Sequence, residues 1–122
     1  MNPASPAIVL FGHGSRDPLW RRPIEAVAER LRAQHPDTTV LCAYLELTPP
    51  DLATALEPLL ASGCSAVRIV PMFLGVGRHA REDLPGLVDA LRRDHPGVRF
   101  DLQPAVGEDD RLLDLLAHIA AG

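Results

Sequence analysis

Two histidines flanked by glycine are the residues of this sequence best suited to chemistry. His13 stands between Gly12 and Gly14, and His79 closes a second glycine-rich segment that begins at Gly75. Flanking glycines leave an imidazole little covered by neighbouring side chains, and loops carry a large share of functional residues. Imidazole binds divalent metal ions and also exchanges protons near neutral pH. The two histidines are therefore candidates for a metal site, for acid–base catalysis, or for both.

Alternating strands and helices explain how such distant residues could meet. Such alternation is typical of α/β proteins, in which right-handed crossovers return each strand parallel to the previous one. We expect a four-stranded parallel sheet flanked by helices on both faces, flavodoxin-like, in a single domain of residues 1–122 whose residues 1–5 are flexible. Apolar runs predict strands over 7–11, 39–45, 66–72 and 98–103, and helical periodicity predicts helices over 23–34, 52–60, about 84–93 and about 109–120.

The strand order decides which residues share a site. In the flavodoxin-like order 2-1-3-4, ligands bind beyond the carboxyl ends of strands 1 and 3, where the winding direction switches. His13 follows strand 1, His79 lies on the loop between strand 3 and the third helix, and Glu46 ends strand 2. Two imidazoles and a carboxylate suit Co²⁺, Ni²⁺, Fe²⁺ or Zn²⁺. From position alone the alternative is structural, with His13 bonded to its loop backbone and His79 capping a helix.

The composition of the sequence argues against binding to nucleic acid or membranes and indicates in which compartment the protein acts. The 16 acidic residues exceed the 12 basic ones, the formal charge is -4, and no Lys/Arg block could follow a phosphate backbone. No window reaches the roughly 18 consecutive apolar residues of a membrane span. Cys42 and Cys64 lack the close spacing of a zinc knuckle or a redox pair. We therefore expect a cytoplasmic protein with reduced cysteines that binds neither nucleic acid nor membranes.

Two further histidines have a predicted structural role. His35 and His95 each precede a proline at the predicted end of a helix, where a cationic or donor side chain suits the exposed carbonyl groups. The surrounding segments 31–36 and 91–96 resemble each other. This internal echo indicates two related halves; the alternative is that the residues that end helices resemble each other by chance.

Longer segments of the sequence carry a family resemblance. They are residues 9–16 (VLFGHGSR), 44–46 (YLE) and 71–85 (PMFLGVGRHAREDLP). With them the chain resembles the CbiX/SirB family of sirohydrochlorin chelatases, which insert a divalent metal ion into a tetrapyrrole. The third segment, with its Asp-Leu-Pro ending, is far more specific than a lone Gly-His-Gly. The histidine-rich tract and the cysteine cluster that some relatives carry are missing from this sequence.

The resemblance implies a metal site and an assembly. His13 and His79 match the family's paired metal-binding histidines, and Glu46 matches its acidic partner. The metal ion, Co²⁺ first and Fe²⁺ or Ni²⁺ as alternatives, would be a substrate, and no cofactor would be permanently bound. The short chain resembles the family's single-domain form, which implies a homodimer that acts in cobalamin or siroheme biosynthesis.

The implied substrate assigns further roles. A free macrocycle carries two pyrrole N–H protons that must leave as the metal enters, so we expect His13 and His79 to deliver metal and remove protons, with Glu46 as a charge-balancing ligand or a proton acceptor. Sirohydrochlorin is rich in carboxylates, which backbone N–H groups and arginines can bind. The candidates for that binding are Gly14, Ser15, Arg16, Arg78 and Arg81.

Two other functions fit some of the same residues. Ser15 could act as a hydrolase nucleophile with His13 or His79 as its base, although the sequence lacks the second glycine that a G-x-S-x-G turn requires. A metal carrier or sensor could use the same ligands without a macrocycle site. Loss of activity in Ser15→Ala, with metal binding intact, would favour the hydrolase. Binding of the tetrapyrrole, followed by absorbance, distinguishes a chelatase from a metal carrier or sensor.

Overall fold

A computed structural model describes residues 6–122. The predicted flexible segment, residues 1–5, lies outside the described residues. Within the described part, parallel strands form a sheet in the order β2-β1-β3-β4, as the sequence predicts. The elements are β1 (Ala7–Gly12), α1 (Arg22–Gln34), β2 (Val40–Tyr44), α2 (Leu52–Ala61), β3 (Ala66–Pro71), α3 (Arg78–Asp94), β4 (Arg99–Leu102), a 3₁₀ turn (Val106–Glu108) and α4 (Asp110–Ala121).

The sheet separates two apolar clusters, because successive side chains of a strand point to opposite faces. Val9 and Phe11 pack on the face covered by α2 and α3, whereas Leu10 packs on the face covered by α1. Helices therefore cover both faces, which confirms the predicted architecture. Phe11 and Leu56 are fully buried, and burying a side chain of this size contributes about 1.5–3 kcal/mol. This packing holds the strand ends from which the loops with His13 and Glu46 leave the sheet.

The third helix begins earlier than the sequence predicted. We expected it from about Leu84, with His79 on the preceding loop, but α3 begins at Arg78. Pro85 lies inside the helix, where a proline normally ends or kinks it, and so hides the earlier start. The buried stripe runs back from Leu84 to Ala80 at a spacing of one turn. His79 thus lies in the first turn of α3, and its placement on a loop was wrong.

The ends of α1 and α3 have nearly the same conformation. His35 and His95 are their C-cap residues, with φ and ψ of -132° and 70° in the first and -133° and 69° in the second. Nη2 of Arg32 and Nη2 of Arg92 each donate to a carbonyl oxygen of the following strand, at 2.7 and 2.8 Å. The helix-end positions of both histidines are confirmed. The matching contacts also give a structural basis to the internal echo.

The two cysteines differ in environment. Cys64 is buried in the larger apolar cluster, whereas Cys42 is half-buried, and both thiols are free. Burial raises the pKa of the Cys42 thiol, so this group stays protonated at neutral pH. Residues 6–122 form no helix that is long and apolar enough to cross a membrane.

Candidate metal site

Backbone hydrogen bonds continue the pairing of β1 and β2 beyond the strand ends. Leu45 N donates to the Gly12 carbonyl oxygen at 2.9 Å, and Glu46 N donates to the His13 carbonyl oxygen at 3.1 Å. Because the carboxyl ends of parallel strands meet at one edge of a sheet, this continuation brings the two loops side by side. Nε2 of His13 lies 3.3 Å from Oε1 of Glu46. The structure therefore brings together two of the predicted site residues.

Gly14 permits this close approach. Its φ is 104°, a conformation that glycine adopts far more readily than other residues. A Cβ atom at this position would lie 1.7 Å from the carbonyl oxygen of Glu46. Any side chain would push the two loops apart. Gly14 therefore has a structural role, and its predicted role in binding substrate stays a prediction.

A tight turn holds the loop that carries Glu46. Thr48 N donates to the Glu46 carbonyl oxygen at 2.7 Å, and Leu47 between them has a φ of 65°. A left-handed conformation costs a residue other than glycine about 1–2 kcal/mol, so neighbouring contacts must maintain this turn. The buried hydroxyl of Thr48 makes two of them, both to the backbone of Ser15.

The imidazole of His13 is open to solvent yet supported by the core. Its side chain is 44% exposed, and that of Glu46 is 45% exposed. The buried ring of Phe73 packs edge-on against the imidazole, with centroids 6.4 Å apart, and also packs against Phe11. An ion or a substrate can therefore reach His13 while the ring keeps a rigid neighbour.

His79 lies at the same edge of the sheet but pairs with another residue. Its Nε2 lies 3.0 Å from Oδ2 of Asp83, one turn further along α3. No three His, Cys, Asp or Glu side chains of residues 6–122 lie close enough together to hold a metal ion. His79 is 67% exposed, and an exposed pair at this spacing contributes only about 0.3–0.5 kcal/mol. The contact with Asp83 therefore restrains His79 weakly, and its role as a ligand stays a prediction.

The predicted arginines of α3 have different surroundings. Nε of Arg78 donates to Oε1 of Glu82 at 3.0 Å on an exposed surface. Arg81 lines a groove of about 360 Å³ between α3 and the ends of β3 and β4, where Phe73 also lies. A charged group beside an apolar groove suits a ligand with an apolar body and anionic substituents. Arg81 is thus the better placed of the two, and binding by either stays a prediction.

In the loop after His13, one of the predicted hydrogen-bond donors to substrate already binds another residue of the protein. The N–H of Ser15, expected to bind substrate carboxylates, donates to Oγ1 of Thr48 at 3.0 Å. That part of the prediction is corrected, because the donor is already engaged. Oγ of Ser15 accepts from Asp17 N at 3.1 Å, and its hydroxyl proton can still be donated. Substrate binding by this loop is therefore predicted for the Ser15 hydroxyl and for the exposed Arg16.

Two aromatic residues pack where β1 ends. The rings of Trp20 and Tyr44 meet edge-on with centroids 6.1 Å apart, and both approach Gly12 so closely that a Cβ there would lie 3.2 and 3.1 Å from them. Burial raises the pKa of Tyr44 to about 12. Its hydroxyl therefore keeps its proton at neutral pH, which excludes Tyr44 as the base of the site.

Sequence reasoning missed Thr48 and Asp83. The hydroxyl of Thr48 bonds to a residue 33 positions away, and no local pattern reveals a partner at that distance. The contact of Asp83 with His79 has the i,i+4 spacing of a helix. That spacing would have indicated the pair if the helix had been predicted to begin at Arg78.

The separation of His13 and Glu46 fits two neighbouring metal ligands. Nitrogen and oxygen donors lie about 2.0–2.2 Å from an ion such as Zn²⁺, so two donors roughly 100° apart around the ion are about 3.2 Å from each other. The observed distance between Nε2 and Oε1 is 3.3 Å. A neutral imidazole with one carboxylate is a donor set that accepts several divalent transition metals. The same distance is that of a direct contact between the two side chains, and it also allows the pair to supply two ligands to an ion and leave other coordination positions open.

These features define an α/β protein with a candidate metal site at the carboxyl edge of a parallel sheet. A family model described as CbiX matches residues 7–121. The chain belongs to the CbiX family, and the resemblance seen in the sequence is confirmed.

Curated relatives are similar over most of the chain. A sirohydrochlorin cobaltochelatase of Methanococcus aeolicus is 27% identical, and the match covers 95% of this chain and 98% of the relative. A sirohydrochlorin ferrochelatase of Bacillus subtilis is 27% identical, and that match covers 92% of this chain and 43% of the relative. The similarity thus extends to relatives named for two different metals.

Solved structures share the fold. A CbiX protein of Marinobacter aquaeolei superposes with a TM-score of 0.80 at 30% identity, and the match covers 96% of this chain and 95% of that protein. The sirohydrochlorin chelatase SirB of Bacillus subtilis subspecies spizizenii, solved in complex with cobalt, superposes with a TM-score of 0.77 at 25% identity. This second match covers 93% of this chain but 49% of SirB. The chain therefore spans about half the length of SirB.

Proposed function

We propose that this protein is a sirohydrochlorin chelatase that inserts a divalent metal ion into the macrocycle, with Co²⁺ as the first candidate. The observation that carries the proposal is the 3.3 Å separation of His13 Nε2 and Glu46 Oε1 at the exposed edge of the sheet. Membership of the CbiX family supports it, and the relative named a ferrochelatase keeps Fe²⁺ as an alternative. Ni²⁺ is a further alternative, because it also accepts nitrogen and oxygen ligands. The product would serve cobalamin or siroheme biosynthesis.

Charge balance sets the requirements of the reaction. A dication enters the macrocycle and two pyrrole N–H protons leave, so the macrocycle has the same net charge before and after insertion. The protein must therefore present the ion, and the two protons must pass to side chains of the site or to solvent. His13 and Glu46 can present the ion through Nε2 and Oε1, and each atom becomes available to a proton as the ion leaves for the macrocycle.

His79 supplies a second imidazole in this proposal. It lies in the first turn of α3, the helix that follows β3 after the loop of residues 72–77, and β3 pairs with β1, so His79 lies at the same edge of the sheet as His13. Nε2 of His79 lies 3.0 Å from Oδ2 of Asp83, and this exposed contact is weak enough to be exchanged for an ion or a substrate. We assign His79 to metal delivery and proton removal together with His13.

The carboxylates of the macrocycle need cationic or donor partners. Arg81 can bind them beside the apolar groove that it lines with Phe73. The Ser15 hydroxyl, Arg16 and Arg78 are exposed or half-exposed at the same edge and can contribute further contacts. Charge-assisted hydrogen bonds between arginine and carboxylate are roughly twice as strong as neutral ones, which supports placing the acidic rim here.

Two copies of the chain are proposed to act together. Within the described residues α4 is amphipathic yet contributes no buried side chain, and its Leu115 and Ile119 are 54% and 64% exposed. A planar macrocycle needs burial over most of its surface, and SirB has about twice the length of this chain.

We expect wild type to sediment as a dimer and Leu115→Glu to sediment as a monomer. Leu87→Glu, at an exposed position of α3, is the matched control, and a fully active wild-type monomer at micromolar concentration would contradict the dimer.

An insertion assay tests the proposed activity. Purified protein is mixed with sirohydrochlorin and Co²⁺, Fe²⁺ or Ni²⁺ in turn, and insertion is followed by the change in the absorption spectrum. We expect at least one metal to be inserted faster than in buffer. His35→Ala, at the opposite edge of the sheet, should leave that rate unchanged. Insertion no faster than in buffer for every metal would contradict the proposal.

A metal carrier is the second candidate function, because the same His13 and Glu46 pair could hold an ion without a macrocycle. Titration of the protein with sirohydrochlorin separates the two functions, since a carrier would bind the ion but leave the absorption of the macrocycle unchanged.

The cytoplasmic location and the single-domain organisation of residues 1–122 stay predictions. Cell fractionation and limited proteolysis test them.

A further inference from the structure

Thr48 joins the two loops that carry His13 and Glu46. Its hydroxyl donates to the carbonyl oxygen of Ser15 at 2.7 Å and accepts from the N–H of Ser15 at 3.0 Å. Its own backbone N–H donates to the carbonyl oxygen of Glu46 at 2.7 Å. One residue therefore binds both the turn after Glu46 and the backbone just beyond His13.

The hydroxyl of Thr48 is well suited to this contact. The residue is 8% exposed, so solvent competes little with its hydrogen bonds. A hydroxyl group carries one proton and two lone pairs, which lets a single side chain satisfy both the N–H and the carbonyl oxygen of Ser15. Valine has the same shape but can satisfy neither, and unpaired backbone groups in a buried place are strongly unfavourable. Without the hydroxyl we expect the loop after His13 to move until those groups find other partners.

We propose that Thr48 is a positioning residue for the metal-binding pair, and that it sets the separation of His13 Nε2 and Glu46 Oε1 without touching metal or substrate. The inference rests on the proposed function, which assigns this pair to the metal ion. Removing a group that orients metal ligands typically lowers metal affinity about 10- to 100-fold. The expected effect of Thr48 is therefore measurable as a change in Co²⁺ affinity, apart from catalysis.

Three variants separate the hydroxyl from its surroundings. Thr48→Val removes the hydroxyl and keeps the shape, and Thr48→Ser keeps the hydroxyl and removes the methyl group. Thr38→Val makes the same chemical change before β2, at the opposite edge of the sheet. Co²⁺ affinity is measured by isothermal titration calorimetry, and folding is checked by thermal unfolding. We expect Thr48→Val to bind Co²⁺ about 10- to 100-fold more weakly than wild type, and the other two variants to bind it with nearly wild-type affinity.

A folded Thr48→Val variant with wild-type Co²⁺ affinity would overturn the proposal. An equally large loss in Thr48→Ser would also overturn it, because the methyl group and its packing would then explain the effect. If Thr48→Val does not fold, Thr48→Ala replaces it, because alanine also removes the hydroxyl and places no methyl group against the backbone of Ser15. Equal affinities of the alanine and serine variants would then count against the hydroxyl.

His13→Ala, measured in parallel, distinguishes failure of the inference from failure of the function. Unchanged Co²⁺ affinity in that variant would overturn the metal site and the role of Thr48 with it. Wild-type protein that binds Co²⁺ but does not insert it would overturn the chelatase activity alone. The comparison of the Thr48 variants would still decide whether the hydroxyl positions the ligands.

Discussion

Gly14→Ala should move His13 and Glu46 apart. The added Cβ atom would lie 1.7 Å from the carbonyl oxygen of Glu46. An unstrained contact between carbon and oxygen is about 3.4 Å, so one of the two loops must retreat by roughly 1.7 Å. Distances between a metal ion and its ligands vary by only about 0.2 Å. After a displacement of this size, His13 and Glu46 could no longer bind the same metal ion.

The same substitution should lower stability through two effects. A residue with a side chain loses about 1–2 kcal/mol in a left-handed conformation such as the φ of 104° at this position. Forcing a further atom into a packed contact typically costs about 1–3 kcal/mol. The free energy of unfolding should thus fall by about 2–5 kcal/mol. Co²⁺ affinity should fall by about tenfold or more, because the ligands are no longer held together.

Gly63→Ala separates backbone strain from displacement of the loops. Gly63 has a φ of 89°, and an added Cβ would meet nothing within 4 Å. It follows α2 at the edge of the sheet away from His13, so this variant should lose about 1–2 kcal/mol of stability and keep its Co²⁺ affinity. Chemical denaturation measures the free energy of unfolding, and calorimetry measures the affinity. Wild-type Co²⁺ affinity in a folded Gly14→Ala variant would refute the reasoning.

Further predictions concern the site and its surroundings. His13→Ala and His79→Ala should each abolish insertion. The free energy of unfolding should fall by only about 0.5 kcal/mol for the exposed His79, and by about 1 kcal/mol for His13, which is half-buried against Phe73; insertion assays and denaturation check this. Glu46→Gln should weaken Co²⁺ binding about 10- to 100-fold in calorimetry, since it removes the charge and keeps the shape. Tyr44, the single tyrosine of the sequence, should ionise near pH 12 in the folded protein and near pH 10 when unfolded, as followed by ultraviolet absorbance. Its contribution to stability should therefore be complete below about pH 10 and decline as the pH rises toward 12.

Regular spacing in the sequence made the sheet and its edge predictable. The apolar runs 7–11 and 66–72 are confirmed as β1 and β3, which pair in parallel. Once strands alternate with helices, right-handed connections determine which strand ends share an edge. The contact of His13 with Glu46 follows from that topology, because both residues leave neighbouring strands at their carboxyl ends.

Features that depend on distant partners were not predictable. The start of α3 was placed too late because Pro85 lies inside the helix, where a proline normally ends or kinks it, although the helix packs its buried face against the core. The apolar pattern of α4 predicted a helix, but periodicity alone does not tell whether tertiary contacts cover Leu115 and Ile119, which are exposed in the described chain. The hydrogen bond from the Ser15 N–H was also not predictable from the sequence, since its acceptor, Thr48, belongs to another loop. Each of these features depends on tertiary contacts between residues far apart in the sequence, and a local sequence pattern does not predict such contacts.

Transfer of protein-bound cobalt to the macrocycle tests the central claim most directly. Protein loaded with one equivalent of Co²⁺ is mixed rapidly with sirohydrochlorin in the presence of a chelator that captures free cobalt, and His13→Ala is treated in the same way. If His13, Glu46 and His79 hold the ion and deliver it, wild type should form about one metallated macrocycle per bound ion, and His13→Ala should form none. If the chelator suppresses all product although it leaves cobalt on the protein in the absence of sirohydrochlorin, the ion at this site is not the one inserted.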